Sequence, residues 1–161
     1  MPDPTIRPAL PEDFPAIQRL SLQIAKLHNG LRPDVFTERA GFTAGLYKRL
    51  LKKTSKNVVL VAVDADEIVG CLSAGCKHQK KAGSKQARRW LYVGFLCVDE
   101  TRQRQGISRR LMEEAELLAR LRGMDSMELT VYECNEAALR FYEHCGFVTQ
   151  KRVLEKPLEQ N

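Results

Sequence analysis

The spacing of apolar residues along the chain predicts four helices. Apolar positions recur at helical intervals over residues 14–27 and 42–51, and a longer amphipathic pattern covers 108–122. A shorter pattern covers 137–144. Such spacing places apolar side chains on one face of a helix, which is then buried against another layer. Gly30 and Pro33 are expected to end the first helix, and Gly123 the third.

Continuous apolar runs rich in β-branched residues predict the strands. The clearest are residues 58–63 and 68–76, joined by a polar turn into a hairpin, and 90–98, which is apolar enough to lie inside the sheet. Shorter strands are expected at 5–10 and 127–131. Residues 147–158 are predicted to close the sheet as one bent or two short strands. This order of elements predicts a mixed α/β fold with helices on both faces.

Length and composition fit an ordinary globular protein. A chain of 161 residues, 43% hydrophobic and 29% charged, suits a single domain spanning 1–161. No stretch approaches the roughly 18 apolar residues of a membrane span, so we expect a cytoplasmic protein without a signal peptide. The five cysteines are odd in number and lack paired metal-ligand spacing, which indicates free thiols and no metal site. They are Cys71, Cys76, Cys97, Cys134 and Cys145.

The balance of charge indicates an anionic partner. Lys and Arg total 26 against 20 Asp and Glu, a net charge of +6. Nucleic acid, a nucleotide cofactor and an acidic substrate are all compatible with it. The basic stretch 77–89 contains no aromatic residue, whereas nucleic-acid grooves usually add stacking side chains to positive charge. A solvated, mobile hairpin tip is therefore favoured there over a nucleic-acid surface.

Four arginines surround the predicted start of the third helix: Arg102, Arg104, Arg109 and Arg110. Positive charge at a helix N-terminus opposes the helix dipole. The arrangement becomes favourable when an anion binds there, because free backbone N–H groups and the dipole already form an anion site. The chain therefore predicts a phosphate-bearing ligand, with simple solvation of the arginines as the alternative.

Two motifs resemble the GNAT N-acetyltransferases, which use acetyl-CoA. Residues 98–108, VDETRQRQGIS, are similar to the pyrophosphate loop Gln/Arg-x-x-Gly-x-Gly/Ala of that family. Residues 135–147, NEAALRFYEHCGF, are similar to its Asn-x-x-Ala…Phe-Tyr…Gly-Phe helix. Both motifs occur in the family's order. The resemblance implies a single acetyltransferase domain with a mixed, mostly antiparallel sheet, splayed central strands and helices on both faces.

The resemblance also assigns a cofactor site. In the family, the backbone of the fourth strand pairs with the pantetheine arm, which implies such a role for Leu96 and Val98, and the Val98 amide would polarise the thioester carbonyl. Ser108 stands where the family prefers glycine or alanine, and binding is expected to tolerate it. The implied cofactor residues are Leu96, Cys97, Val98, Gln103, Arg104, Gln105, Gly106, Ile107, Ser108, Arg109, Asn135, Ala138 and Tyr142.

Catalytic residues are assigned less completely. Tyr142 matches the family's general acid, which protonates the departing thiolate; otherwise it is a core aromatic. Many relatives place a glutamate base in the fourth strand, but residues 90–98 contain no acid and Gly94 is at the middle. Glu133, His28 and Tyr92, the last through water, are the candidate bases, and Glu133 is preferred. Cys97 and Cys134 could carry an acetyl group, but direct transfer is predicted.

Residues 28–36 resemble a segment that lines the acceptor side in some members of the family. His28 and Phe36 in this segment, together with Tyr92, are the predicted substrate contacts. The predicted activity is direct transfer of acetyl from acetyl-CoA to a primary amine of an unidentified small molecule or peptide. The alternatives are an acyl-CoA sensor without turnover and a nucleic-acid or ribosome-associated module using 77–89. Expected partners are acetyl-CoA and the amine, with a homodimer as an open option.

Overall fold

The computed structural model describes residues 3–52 and 56–158. The chain forms two compact units, Met1–Thr130 and Val131–Asn161. Over the described residues, the first contains five strands and three α-helices, and the second contains one α-helix. In chain order they are β1 (Thr5–Pro8), α1 (Phe14–Leu31), α2 (Ala44–Leu50), β2 (Asn57–Asp64), β3 (Glu67–Gln79), β4 (Arg88–Val98), α3 (Ile107–Leu121), β5 (Ser126–Glu128) and α4 (Glu136–His144).

The first unit is built on a five-stranded sheet in the order β1-β2-β3-β4-β5. All neighbours are antiparallel except β4 and β5, which are parallel. The β4–β5 ladder covers only Trp90, Leu91 and Tyr92. β5 ends at Glu128, the partner of Tyr92, and no strand in the described ranges pairs with the outer edge of β4 from Val93 to Val98. The predicted mixed, mostly antiparallel sheet with splayed central strands is confirmed.

Helices cover both faces of this sheet. On one face, Ile17 and Leu20 of α1 and Tyr47 of α2 pack with Cys71 and Cys97 of the sheet. On the other, α3 approaches β3 so closely that a Cβ atom on Gly70 would lie 3.2 Å from both Ile107 and Leu111. A methyl group there would force its neighbours to move by a few tenths of an ångström, so Gly70 allows the close spacing between α3 and the sheet.

The β3–β4 hairpin is longer than predicted. The ladder extends to the pair Gln79–Arg88, so much of the basic stretch 77–89 is strand, and the tip narrows to residues 80–87. The Arg88 guanidinium lies 4.3 Å from the centre of the Trp90 ring and also pairs with Glu128 of β5. The contact with Trp90 joins two side chains of β4, and the ion pair with Glu128 joins β4 to β5. Both favour the extended conformation of this part of β4.

The second unit differs from the prediction. Residues 147–158 form no strand in the described chain, which differs from the predicted closing strand. The large apolar side chains of this segment are 81–90% exposed; they are Val148, Val153, Leu154 and Leu158.

Two elements of the first unit also differ from the prediction. The strand β5 is shorter than the predicted 127–131, and α1 continues through Gly30.

Across the described ranges, no helix combines the length and apolar character needed to cross a membrane.

Candidate functional site

At its outer edge, β4 directs the backbone amides of two residues away from β3. The amide of Asp99 donates to the carbonyl of Val69 at 2.8 Å, which fixes the alternation of the antiparallel β3–β4 ladder. In the intervening pairs, Gly70–Val98 and Leu72–Leu96, the β4 backbone therefore faces away from β3. Leu96 and Val98 direct their amide groups toward the open edge, as predicted for residues that pair with an extended ligand.

A β-bulge at Gly94 shapes this edge. Ser73 pairs with Phe95 while Ala74 pairs with Val93, so Gly94 is the extra residue of β4. A Cβ atom on Gly94 would meet only the Tyr92 ring, at 4.0 Å, so the position is open. The strand carries no carboxylate here, and the bulge bends β4 where it leaves β5.

Asp99 anchors the loop that follows β4. Its carboxylate accepts hydrogen bonds from the Thr101 amide at 3.0 Å and the Thr101 hydroxyl at 2.7 Å, and it pairs with Arg19 of α1. The hydrogen bonds from Thr101, and then the Arg19 guanidinium, lower the pKa of Asp99 to about 2. Further along, Arg102 pairs with Asp64 at 2.8 Å. The loop is thus fixed before it reaches α3.

Gln23 of α1 provides a second anchor. Its Nε2 atom donates to the Val98 carbonyl at 2.9 Å, and its Oε1 atom accepts from the Glu100 amide at 3.2 Å. Arg19, one turn earlier, also donates to the Ile68 carbonyl at 3.1 Å. Sequence reasoning missed both residues. The only local signal is that two polar side chains four residues apart share one stripe of an amphipathic helix.

The start of α3 has the geometry of an anion site. Gly106 precedes the helix with φ of 76°. Because glycine has no side chain, it makes no capping hydrogen bond to the backbone of the first turn. A Cβ atom on Gly106 would meet nothing within 4 Å, so a ligand can approach the backbone there. Arg104, at φ of 61°, also adopts the left-handed conformation, which turns the loop toward the helix. The free N–H groups of the first turn fit a phosphate group.

The four arginines of this region are not equivalent. Arg102 is held by Asp64, Arg109 lies 2.9 Å from Glu113, and Arg110 lies 3.7 Å from Asp3. Within the described ranges, Arg104 alone among the four has no carboxylate partner. The Arg109–Glu113 pair is exposed and weak, so Arg109 also stays accessible to an anion.

The predicted acceptor segment 28–36 is a compact turn at the end of α1. The rings of His28 and Phe36 lie 5.0 Å apart, and the Asn29 side chain donates to the Phe36 carbonyl at 2.6 Å. Burial lowers the pKa of His28, so its imidazole is neutral at neutral pH. Tyr92 lies on β4, where its hydroxyl donates to the Thr130 hydroxyl at 3.0 Å.

The second unit carries the other predicted site residues. The Asn135 side chain accepts from the Ala138 amide at 3.2 Å and so caps α4. The Tyr142 ring packs between Phe141 and Phe147, at 5.3 and 5.8 Å, and burial raises the pKa of its phenol to about 12. Glu133 is 79% exposed and lies 3.8 Å from Arg152. The pKa of Tyr142 keeps its proton available at neutral pH.

The two cysteines near the motifs, Cys97 and Cys134, differ in their surroundings. Burial raises the pKa of Cys97 to about 12, so its thiol remains protonated and unreactive at neutral pH. Cys134 is exposed. Over residues 3–52 and 56–158, no three His, Cys, Asp or Glu side chains converge in a way that could hold a metal ion.

Comparison with known families gives one match that covers most of the chain. The profile of the acetyltransferase (GNAT) family matches residues 22–147. This range contains the β4 edge, the loop before α3 and the whole of α4.

Individual relatives agree with the family match. N-alpha-acetyltransferase 30 of Saccharomyces cerevisiae is 30% identical over 100 residues, which are 62% of this chain and 57% of that protein. The chain therefore spans little more than half the length of this curated relative. Acetyltransferase Atu2258 of Agrobacterium fabrum is 46% identical over 61 residues, 38% of this chain and 43% of that protein.

Solved structures share the fold over nearly the full chain. The structure of a tetramutant of the BH1408 protein of Bacillus halodurans superposes with a TM-score of 0.91 at 31% identity, covering 96% of this chain and 99% of that one. An aminoglycoside acetyltransferase from an uncultured soil metagenomic sample superposes with a TM-score of 0.68 at 20% identity, covering 98% and 97%. The latter likeness concerns the fold alone.

Proposed function

The chain belongs to the acetyltransferase (GNAT) family, and we propose that it transfers an acetyl group from acetyl-CoA to a primary amine. The observation that carries this proposal is the continuity of two binding features. The open backbone edge at Leu96 and Val98 leads through an anchored loop directly into the anion site at Gly106. An extended amide-containing arm that ends in a pyrophosphate requires these two features in this order.

Residues of the first unit would hold most of the cofactor. The Leu96 and Val98 amides would pair with the pantetheine arm, and the backbone from Gln103 to Arg109 would surround the pyrophosphate. Arg104 supplies the positive charge that no carboxylate neutralises in the described structure. Asn135 and Ala138 are assigned to the pantetheine region by the family motif, and residues 1–161 are proposed to act as one acetyltransferase domain.

The reaction needs one donor and one acceptor of protons. The amine nitrogen attacks the thioester carbonyl, the new C–N bond forms, and the C–S bond breaks to release CoA thiolate. The Val98 amide would stabilise the negative charge that develops on the carbonyl oxygen. Tyr142, protonated because of its raised pKa, would donate to the thiolate. No cysteine intermediate is required, and the high pKa of Cys97 supports direct transfer.

The base must remove a proton from the attacking amine. At pH 7, deprotonation costs about 4 to 5 kcal/mol for a lysine-like ammonium of pKa about 10.4, and about 1 kcal/mol for an α-ammonium of pKa about 7.7 to 8.0. Glu133 is the proposed base. His28 is the main alternative, because its neutral imidazole has a free site for a proton, and Tyr92 could act through water. Replacing each in turn distinguishes them, since only the base variant shifts the acidic limb of the kcat/KM profile.

The acceptor is proposed to be the α-amine of a peptide. This assignment follows from the similarity to N-alpha-acetyltransferase 30, whose name describes acetylation of α-amines. A cytoplasmic location remains a prediction. A binding protein without turnover is the second candidate, because Gly94 leaves β4 without a carboxylate.

Release of free thiol from acetyl-CoA tests the proposal. The acceptors are peptides with a free α-amine, the same peptides blocked at the α-amine but carrying lysine, and small primary amines. We expect turnover with the free α-amines. Tight CoA binding without thiol release for any acceptor would favour the binding protein, and failure to bind CoA would overturn both.

The Gly106 variants provide a matched test of the cofactor site. Gly106→Asp and Gly106→Asn both tolerate the left-handed conformation and can cap α3, so both should fold. Only the aspartate places a negative charge beside the pyrophosphate. We expect acetyl-CoA to bind Gly106→Asp at least about tenfold more weakly than Gly106→Asn, a difference of about 1.4 kcal/mol in titration calorimetry. Equal affinity would contradict the assignment.

A further inference from the structure

Residues 77–89, which we call the basic arm, hold all of the excess positive charge of the chain. This stretch contains six of the 26 Lys and Arg residues and none of the 20 Asp and Glu residues. The rest of the chain is therefore balanced, with 20 residues of each sign, and the net charge of +6 comes from the arm. Such a concentration of one sign of charge indicates an anionic partner that contacts this part of the molecule.

The basic arm extends beyond the sheet as a two-stranded ribbon. The ladder between β2 and β3 ends at Gly75, and β5 pairs with β4 only from Trp90 onward. The ladder between β3 and β4 continues past both points to the pair Gln79–Arg88. In the described chain, no third strand lies beside this part of the ribbon, so a ligand can reach it from either side.

Hydrogen bonds define the arm up to its tip. The backbones of Ala82 and Lys85 exchange two of them, at 3.1 and 3.0 Å, around a turn in which Gly83 has φ of 53°. The Gln79 side chain also donates to the Gln86 carbonyl at 2.8 Å, across the ribbon. Because the backbone of the arm is already ordered, little conformational entropy is lost there when a ligand binds.

The lysines of the arm are available to a ligand. Four of them are exposed and form no ion pair with a carboxylate in the described ranges; they are Lys77, Lys80, Lys81 and Lys85. The two arginines differ, because Arg88 pairs with Glu128 and Arg89 lies 3.5 Å from Asp125. A lysine ammonium is a point charge, which suits contact with phosphates and carries little information about base sequence.

Positive charge lies on both faces of the ribbon. Because side chains alternate along a strand, Lys77 lies on the face that α1 covers and Arg89 on the face that α3 covers. A Cβ atom on Gly123, two residues after α3, would lie 3.6 Å from the Arg89 guanidinium, which agrees with that placement. Arg122 adds a further charge to the second face, where its guanidinium lies 3.5 Å from the Cys76 sulfur.

We propose that the basic arm binds double-stranded nucleic acid of B-form geometry, through its phosphates and without sequence preference. The major groove of such a duplex is about 12 Å wide and admits a two-stranded ribbon. Phosphates then lie on both sides of the ribbon, where the arm carries its charge. A flat anionic surface, such as a membrane, would contact only one face or the tip.

The absence of aromatic residues from 77–89 favours a duplex over a single strand. Proteins that bind single strands stack the bases on aromatic side chains, whereas a duplex keeps its bases stacked on one another. The nearest tryptophan in the sequence, Trp90, already has the Arg88 guanidinium 4.3 Å from the centre of its ring. Charge without stacking surfaces is therefore compatible with the outside of a duplex.

The arm is separate from the proposed cofactor site. Strand β4 runs for 11 residues from Arg88, in the arm, to Val98, and the loop at Gly106 follows. At about 3.3 Å per residue, the strand alone spans about 30 to 35 Å. We therefore expect duplex binding to be independent of acetyl-CoA, and the inference does not rest on the proposed function.

The salt dependence of binding tests the proposal. The full chain is titrated into a labelled DNA duplex of mixed sequence, about two helical turns long, and fluorescence anisotropy gives the dissociation constant at several salt concentrations. Each phosphate contact contributes about −0.9 to the slope of log K against log salt, so the four exposed lysines predict a slope of about −3.6 or steeper. No binding at about 50 mM salt would overturn the proposal.

Matched variants locate the contact. Lys80→Gln combined with Lys85→Gln should weaken duplex binding at least about tenfold and make the slope less steep by about 1.8. Lys26→Gln combined with Lys48→Gln is the control, because it removes the same charge from α1 and α2, and it should leave the affinity within about twofold. Equal weakening in the two variants would show attraction to the net charge alone, which overturns the proposal.

Competition identifies the kind of partner. The competitors are single-stranded DNA, an RNA duplex, polyglutamate and phosphatidylserine vesicles, each at the same concentration of negative charge. All should displace the labelled duplex less effectively than unlabelled duplex DNA, and a better competitor would overturn the proposed geometry. Saturating CoA should leave the affinity for DNA within about twofold, whereas displacement by CoA would place the duplex at the loop before α3. If DNA binds as expected and no thiol is released from acetyl-CoA, only the proposed function fails.

Discussion

The two units of the chain differ in how they bury apolar surface. In the first unit, the side chains of Ile17, Leu20, Leu72, Leu91 and Leu111 have no exposed surface. In the second, the side chains of α4 are at most partly buried, and the large apolar residues of the tail are 81–90% exposed. The first unit therefore has a core that can hold a site rigidly. The second is held by local contacts, such as the Asn135 cap of α4 and the packing of Tyr142 against Phe147.

This difference separates the proposed roles in catalysis. The proposed cofactor edge and the proposed phosphate loop belong to the packed unit, where Gln23 and Asp99 fix the connection between β4 and α3. The proposed acid Tyr142 belongs to the other unit, where its ring makes edge-to-face contacts with Phe141 and Phe147. Binding and proton transfer are thus expected to respond to different substitutions.

The largest expected effect is the loss of the proposed acid. Tyr142→Phe should lower kcat by about 100- to 10,000-fold, because the departing thiolate loses its proton donor. The affinity for acetyl-CoA should change little, since the ring and its packing remain. Steady-state kinetics and calorimetry measure the two quantities. Tyr132→Phe, in the same unit, is the control and should retain normal turnover; equal kcat for both variants would remove the acid role.

The pH dependence provides a separate check on Tyr142. A phenol loses its catalytic proton as the pH rises through its pKa, and burial moves that pKa from about 10 to about 12. The alkaline loss of kcat should therefore move upward, and kcat should show no falling limb between pH 8 and about 10.5. A falling limb centred near pH 10 would indicate an unperturbed phenol or a different acid.

Core substitutions should distinguish the units by stability. Leu111→Ala removes a fully buried side chain between α3 and the sheet, and should lower the free energy of unfolding by about 2 to 5 kcal/mol. Leu154→Ala, at 90% exposure, should cost less than about 0.5 kcal/mol. Urea unfolding followed by circular dichroism measures both. Similar losses would contradict the comparison, because they would place a packed core in the tail.

The smallest expected effect concerns Gln23, which acts through the backbone of β4. Gln23→Ala should raise the KM for acetyl-CoA by about fivefold, equivalent to about 1 kcal/mol, because the Val98 and Glu100 backbone groups lose their partner. Gln23→Glu keeps an acceptor for the Glu100 amide and should lie between Gln23→Ala and the native protein. Gln18→Ala, elsewhere on α1, is the control. A fall in kcat at constant KM would argue against a positioning role.

Local patterns were sufficient to predict much of the first unit. The spacing of Leu111, Met112 and Ala115 predicts both α3 and its buried face, because helical periodicity depends only on residues close together in the sequence. The same holds for the hairpin of β2 and β3 and for the glycine before α3. Gly106 was recognisable because a helix start beside a phosphate needs a left-handed residue with free space around it.

The remaining features depend on partners distant in the chain. The bulge at Gly94 exists only because Ser73 and Ala74 pair with residues on either side of it. Gln23 and Arg19 acquire a role only when α1 lies against the end of β4. For residues 147–158, the pattern describes a segment able to form a strand, but it does not specify which edge the segment will join.

The bond between Gln23 and Glu100 has a consequence for folding kinetics. It closes a loop of chain between residues 77 positions apart, whereas the hairpin of β2 and β3 joins neighbours in the sequence. Closing the longer loop has the larger entropic cost, so contacts of this kind form late. During refolding from urea, the sheet should therefore recover first, and the ability to bind CoA should return only when α1 docks and aligns the loop before α3.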